Sequence, residues 1–204
     1  MSSIENPSPL PLRWAGVVLA GGHSRRMGRE KALLEVNGEA LWRRQERVLR
    51  EAGAAEVWLS ARPEQAWATA EASGRVVHDR VVDAGPLAGI AATLAASTAT
   101  HLAVLAVDLP RMEAAWLRRL SAACGPGRGA VGRREGFFEP LAAIYPREIL
   151  VAAERALARG ERSLQRLLTA EAARFAIVEI GAMDAASFEN WNEPPASGEA
   201  RRQA

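Results

Sequence analysis

The sequence predicts one α/β domain, with a mostly parallel central sheet, helices on both faces and a small antiparallel element in the C-terminal half. Three observations carry this reading. Up to Pro110, short apolar runs alternate with longer helical patterns in the order strand, helix, strand, helix. Beyond Pro110 two strand-like runs are separated only by a polar turn, Glu135-Gly136, which suits an antiparallel pair. A chain of 204 residues has room for one such domain with a proper core.

Trp14–Leu19 is a short apolar run and reads as the first, buried strand. Asn37-Gly38 marks a turn, and the stretch from Leu41 to Ala52 carries apolar residues at 41, 48, 49 and 52, a helical stripe closed by Gly53. Glu56–Ser60 is the second strand, Glu64–Ser73 a short helix ended by Gly74, and Arg75–His78 a third strand with Asp79 at its carboxyl end. Leu87–Ser97 is an Ala-rich helix. Leu102–Val107 is continuously apolar, as in a strand covered on both faces at a sheet centre. Glu113–Cys124 is helical by pattern, and Gly125 to Gly129 a mobile turn. Ala130–Arg134 and Phe138–Tyr145 form the antiparallel pair, helices follow over Pro146–Ala158 and Ser163–Ala173, and a strand over Phe175–Ile180. There is no internal repeat. Polar or proline-rich residues 1–12 and 195–204 are expected as flexible tails around a domain at 13–194.

Composition narrows the function. Hydrophobic content of 49% and charged content of 25% exclude disorder throughout. A formal net charge of +2 is too small to argue for nucleic acid as the partner. The single cysteine, Cys124, permits no internal disulfide and no cysteine-rich zinc site, and reads as a packing residue in a reducing compartment. The start MSSIENPSPLPLR shows no charged and apolar leader, so a cytoplasmic location is expected. The apolar stretch from Ile90 to Val107 is interrupted by Ser97, Thr98, Thr100 and His101, so no membrane association is expected.

The segment from Leu19 to Leu34, LAGGHSRRMGREKALL, is the most informative. A loop leaving a parallel strand needs small residues where its backbone N–H groups approach an anion closely. Gly21 and Gly22 meet that need, and Arg25, Arg26 and Lys31 add fixed positive charge for a polyphosphate. Other nucleotide patterns do not fit. Gly28 is followed by Arg29, not by the Lys-Ser/Thr of a Walker loop, the first glycines are adjacent, against G-x-G-x-x-G, and Arg26 occupies the last glycine position of a nucleophile elbow. In open parallel sheets ligands sit outside the carboxyl ends of the strands. Asp79 and Asp108 stand at two further such ends. Asp108, followed by Leu109-Pro110, is placed to hold Mg²⁺, which takes one or two carboxylates and leaves room for substrate phosphates. A cap for the helix from Glu113 is the other reading of Asp108.

The string LAGG-x-S-x-RMG-x-x-K resembles the molybdenum cofactor guanylyltransferases, within the larger nucleotidyltransferase superfamily. Further pieces lie downstream in the family's order: Gly85-Pro86-Leu87-Ala88-Gly89, Glu139 to Tyr145 as the PLxAxY strand, Gly160-Glu161-Arg162 with Leu164, and Phe188 to Pro194 as F-x-N-x-N-x-P. The likeness spans about residues 14 to 194. It implies a Rossmann-like nucleotidyltransferase domain and transfer of GMP from GTP to the molybdenum–molybdopterin cofactor with release of pyrophosphate. It further implies that Leu19, Ala20, Gly21, Gly22, Lys31, Ser60, Asp79 and Asp108 contact the nucleotide, with Asp83 a rival to Asp79. Arg26 and Lys31 are then the catalytic cations, and Asp108 and Asn192 the Mg²⁺ ligands. For Asn190 and Asn192 alone, ordinary turn chemistry with Pro194 is the alternative.

Two departures from the family pattern stand out. Glu30-Lys31 replaces Asp-Lys, and Ser60 in Ser60-Ala61-Arg62 takes the slot of an asparagine that touches the guanine or ribose. The expected partners are GTP and molybdenum–molybdopterin, with recipient molybdoenzymes or their chaperones downstream, and the chain is expected to act as a monomer. Rival readings are a cytidylyl or sugar-phosphate enzyme of the same fold, and a non-enzymatic cofactor carrier. LAGG with GPLAG favours guanine over the LAAG of cytidylyl relatives, and intact Lys31 and Asp108 favour an enzyme. No base residue is required, in keeping with the scatter of His23, His78 and His101. Trp42, Trp58 and Trp116 read as packing residues, whereas Trp191 lies between the two asparagines.

Overall fold

The structure, a computed structural model, describes residues 13–22, 30–72, 75–78 and 85–191. The chain runs β1 (Trp14–Leu19), β2 (Glu35–Val36), β3 (Glu39–Ala40), α1 (Leu41–Ala52), β4 (Glu56–Ala61), α2 (Ala66–Glu71), β5 (Arg75–His78), α3 (Pro86–Ala96) and β6 (His101–Ala106). It continues with α4 (Ala114–Ala123), β7 (Gly129–Arg134), β8 (Phe137–Pro146), α5 (Ile149–Ala158), α6 (Leu164–Ala170) and β9 (Phe175–Glu179).

Seven strands form one sheet in the order β5-β4-β1-β6-β8-β7-β9. β5, β4, β1 and β6 are mutually parallel, β8 runs antiparallel to β6 and β7, and β9 is parallel to β7. Only β8 among the described strands of this sheet therefore opposes the rest. The expected α/β class, the mostly parallel sheet and the antiparallel element are all present. β1 and β6 sit centrally and every residue of both is buried, which accounts for their unbroken apolar sequences.

Two apolar layers flank the sheet. On one face Val48, Leu49 and Ala52 of α1 pack with Trp116, Leu117 and Leu120 of α4. On the other, Leu87, Ile90 and Leu94 of α3 pack with Ile149 and Ala153 of α5 and Leu164 and Leu168 of α6. Helices thus cover both faces, as the sequence predicts. Trp42, Trp58 and Trp116 are buried packing residues. Cys124 is half-buried at the end of α4, and burial pushes its thiol up to about 12, so it carries no reactive thiolate at neutral pH. No helix among the described residues is long and apolar enough to cross a membrane.

Several boundaries differ from the sequence reading. The helix expected over Glu64–Ser73 occupies only Ala66–Glu71, because Gln65 leaves helical geometry and turns its side chain into the protein. Pro146 belongs to β8, where it pairs with His101, so α5 begins at Ile149. The helix expected to reach Ala173 ends at Ala170, followed by a 3₁₀ turn at Ala172–Arg174. The β2–β3 hairpin adds to what the pattern showed. Asn37 (φ 53°) and Gly38 (φ 78°) both take left-handed backbone, the geometry of a tight turn matched to strand twist.

Candidate active site

The carboxyl ends of β4, β1 and β6 lie side by side and set the floor of the site. Leu19 registers with Ser60 on one side and Ala106 on the other. Past the ladders, the Ala20 N–H donates to the Ser60 carbonyl at 2.8 Å, and the Val107 N–H to the Leu19 carbonyl at 3.3 Å. The chain therefore leaves β1 into Gly21-Gly22 at the same level at which it leaves β6 into Asp108. Leu19 and Ala20 are buried, Gly21 is half-buried and Gly22 is exposed. A Cβ at Gly22 would meet no described protein atom within 4 Å, so packing among the described residues does not call for glycine there. Close approach by a ligand would. Ser60 is buried in β4, with its carbonyl occupied by Ala20.

Asp108 does not cap α4, whose N-cap is Glu113. Its Oδ1 is buried and accepts no hydrogen bond among the described residues. Burial raises the carboxyl above its ordinary value, and this outweighs the nearby Lys31 ammonium and the residue's own backbone amide, which both lower it. A buried carboxylate oxygen without a donor is costly unless a cation completes it. The donor type fits a hard divalent metal such as Mg²⁺, for which a carboxylate oxygen is a preferred ligand. Among the described residues no three His, Cys, Asp or Glu side chains gather into a metal cage.

Lys31 and Asp108 are far apart in sequence but are joined through one residue. The Lys31 Nζ donates to the Trp191 carbonyl at 2.9 Å, and the Trp191 N–H donates to the Asp108 carbonyl at 3.0 Å. The segment leading to Trp191 is anchored by Phe188, buried edge-on against Trp116 with ring centroids 5.0 Å apart, and by the ion pair of Glu189 with Arg111. This places the residue before Asn192 beside both Lys31 and Asp108. Asn190 is exposed. Arg26, Asp79, Asp83 and Asn192, all expected at the site, lie outside the described residues.

The turn that carries Asp108 is held from below by α1. The Gln45 side chain, with no exposed surface, donates through Nε2 to the Ala106 carbonyl at 3.2 Å and the Leu109 carbonyl at 2.7 Å. Arg44 Nε donates to the Pro110 carbonyl at 2.5 Å. The sequence reading missed Gln45, although a signal was present: it is a polar residue inside the apolar stripe 41, 48, 49, 52 of a helix. At Gly85-Pro86, Gly85 takes φ 68° at the N-cap of α3 and Pro86 occupies the first turn, a glycine-proline helix start one residue before the Leu87 expected from the pattern.

Comparison with known proteins finds similarity along most of the chain. Residues 16–175 match the family described as MobA-like NTP transferase domain. A protein of Opitutus terrae named "Probable molybdenum cofactor guanylyltransferase" is 49% identical, over 93% of this chain and 95% of that protein. The molybdenum cofactor guanylyltransferase of Xanthomonas euvesicatoria is 36% identical over 89% of this chain and 90% of its own. Among solved structures, molybdopterin-guanine dinucleotide biosynthesis protein A from Archaeoglobus fulgidus superposes with a TM-score of 0.69 at 25% identity, covering 88% of this chain and 93% of that one.

Proposed function

The chain belongs to the MobA-like NTP transferase family, and from that premise we propose that it transfers GMP from GTP to the molybdenum–molybdopterin cofactor. The observation that carries the reading is the convergence of Lys31 and Asp108 on the Trp191 backbone, beside the open Gly21-Gly22 turn. A cation, a buried carboxylate and a glycine turn at the carboxyl ends of parallel strands form a site for a nucleoside triphosphate.

The terminal phosphate of the cofactor attacks the α-phosphorus of GTP in line. A new P–O bond forms there, the bond to the β-phosphate oxygen breaks, and pyrophosphate leaves with the electron pair. The attacking phosphate is already anionic at neutral pH, so no protein base is needed, and catalysis consists of positioning and charge neutralisation. The backbone of Leu19, Ala20, Gly21 and Gly22 follows the nucleotide. Arg26 and Lys31 neutralise the departing pyrophosphate, while Ser60 and Asp79, or Asp83 in its place, contact the nucleoside. Asp108 and Asn192 would hold Mg²⁺, which supplies positive charge for the phosphate oxygens when bound. The enzyme acts as a cytoplasmic monomer that delivers its product to molybdoenzymes or their chaperones.

The test is pyrophosphate release with molybdenum–molybdopterin and GTP, ATP or CTP in turn. Turnover confined to GTP supports the proposal. Turnover with CTP and none with GTP overturns the choice of base, and absence of turnover with every nucleotide overturns the enzyme.

A further inference from the structure

Gln65 lies in the turn between β4 and α2, is only 2% exposed, and uses its amide in three directions. Its Oε1 accepts from the Arg62 N–H at 2.7 Å, which closes the local turn. Its Nε2 donates to the Ala20 carbonyl at 3.1 Å and to Glu30 Oε2 at 2.6 Å. Those two bonds reach partners 45 and 35 residues away, so the amide is more than a turn closure. A primary amide has two N–H donors, and both are spent here. The other oxygen of Glu30, Oε1, accepts from Arg62 Nη2 at 3.1 Å.

One buried amide thus ties Ala20, where the chain leaves β1, to Glu30, the residue before Lys31. We propose that Gln65 is a positioning residue of the nucleotide site: it fixes the distance between the start of the glycine turn and Lys31, so that the ammonium meets the phosphates that the turn receives. Arg62 assists by neutralising Glu30. The departure from the family pattern at Glu30 is then accounted for, because its longer carboxylate is engaged by Gln65 and Arg62 together. Holding both bonds to charged Glu30 also lowers the freedom of the adjacent lysine backbone. Misplacement of a catalytic cation by about 1 Å is enough for a loss on the order of 10²-fold.

The inference rests on Lys31 acting on the triphosphate, and a double-mutant cycle separates the two claims. The full-length chain is assayed for pyrophosphate release with GTP and molybdenum–molybdopterin as wild type, Lys31→Ala, Gln65→Ala and the double variant. Mg²⁺–GTP binding is followed by calorimetry. We expect Lys31→Ala to lose at least ~10²-fold in kcat/KM and Gln65→Ala about 10- to 10²-fold. The double variant should be no worse than Lys31→Ala by more than about 3-fold, since Gln65 acts through Lys31. Gln65→Ala should bind Mg²⁺–GTP at full stoichiometry with weakened affinity, whereas a purely structural residue would reduce the stoichiometry and leave the affinity of the folded fraction unchanged.

Wild-type rates in Lys31→Ala overturn the underlying site. An impaired Lys31→Ala with a normal or fully additive Gln65→Ala overturns the role of Gln65 alone. If Gln65→Ala does not fold, Glu30→Ala replaces it in the cycle. That variant removes the carboxylate through which Gln65 reaches the residue before Lys31, and full additivity with Lys31→Ala again overturns the role.

Discussion

Replacing Asp108 by asparagine should make the metal-free protein more stable and nearly inactive. Oδ1 of Asp108 is buried without a donor among the described residues, and burial raises the carboxyl above its ordinary 3.8. At neutral pH the fold therefore holds a charge that its surroundings resist, relieved only in part by Lys31. Asparagine keeps the shape and removes that charge, but it leaves an amide without full partners and loses the attraction to Lys31. The net gain is on the order of 1 kcal/mol, within the usual yield of relieving a strained functional site. For a chain of this length that raises Tm by about 2–4 °C.

The sign with pH follows from the raised value. The stability contributed by protonated Asp108 is full below 3.8 and is lost as pH rises through the higher folded-state pKa. The asparagine variant suffers no such loss, so its advantage opens across that window and persists at neutral pH. Thermal unfolding in chelator, at acidic and at neutral pH, measures this directly. With Mg²⁺ and GTP added the order should reverse: wild type gains about 2.7 kcal/mol at a hundredfold excess over Kd, and the variant gains little. Turnover should fall at least ~10²-fold. A variant that melts lower than wild type at neutral pH would show Asp108 to be a structural group satisfied by its own fold. Undiminished turnover would remove it from the site.

Three further outcomes follow from the same geometry. Arg26→Ala, with its fold intact by circular dichroism, should lose at least ~10²-fold in kcat/KM for GTP, and a near-wild-type rate would exclude Arg26 from the leaving-group charge. Gln45→Met removes the donor to the Ala106 and Leu109 carbonyls and should cost about 1–3 kcal/mol in denaturant unfolding, with kcat reduced because the Asp108 turn loses its support; unchanged stability would mean that those carbonyls find other donors. Calorimetric titration should show weak binding of free Mg²⁺ and much stronger binding with GTP present, since the described residues offer no carboxylate cluster. Strong binding without GTP would point to further carboxylates at the site, Asp79 or Asp83 among them.

Apolar runs made the sheet legible because β1 and β6 are buried on both faces, so nothing but hydrophobic residues suits them. The short elements were harder. The two-residue strands β2 and β3 are too short for a period to show, and only Asn37-Gly38 betrays them. The N-terminal end of α2 does not show in the local pattern because Gln65 is held by long-range partners, Ala20 and Glu30, which no local window contains. Of the candidate site, the glycine turn, Lys31 and Asp108 were visible as residue types at strand ends. Gln45 shows in the sequence only as a polar residue inside an apolar helical stripe, and Gln65 not at all, because it acts by donating amide hydrogens to a carbonyl and a carboxylate, work that many polar residues do elsewhere without consequence.

The link between Lys31 and Asp108 was hidden for a different reason. Its middle member is the backbone of Trp191, which offers a carbonyl to one and an N–H to the other. Any residue but proline would supply both groups, so the indole is not what earns the position. Sequence instead records the anchor: Phe188, buried against Trp116, sets the depth at which the segment enters. Loss of that aromatic contact would displace Trp191 and with it one fixed partner of the Lys31 ammonium. The segment from Phe188 to Trp191 therefore braces Lys31 and the Asp108 turn against each other through main-chain atoms.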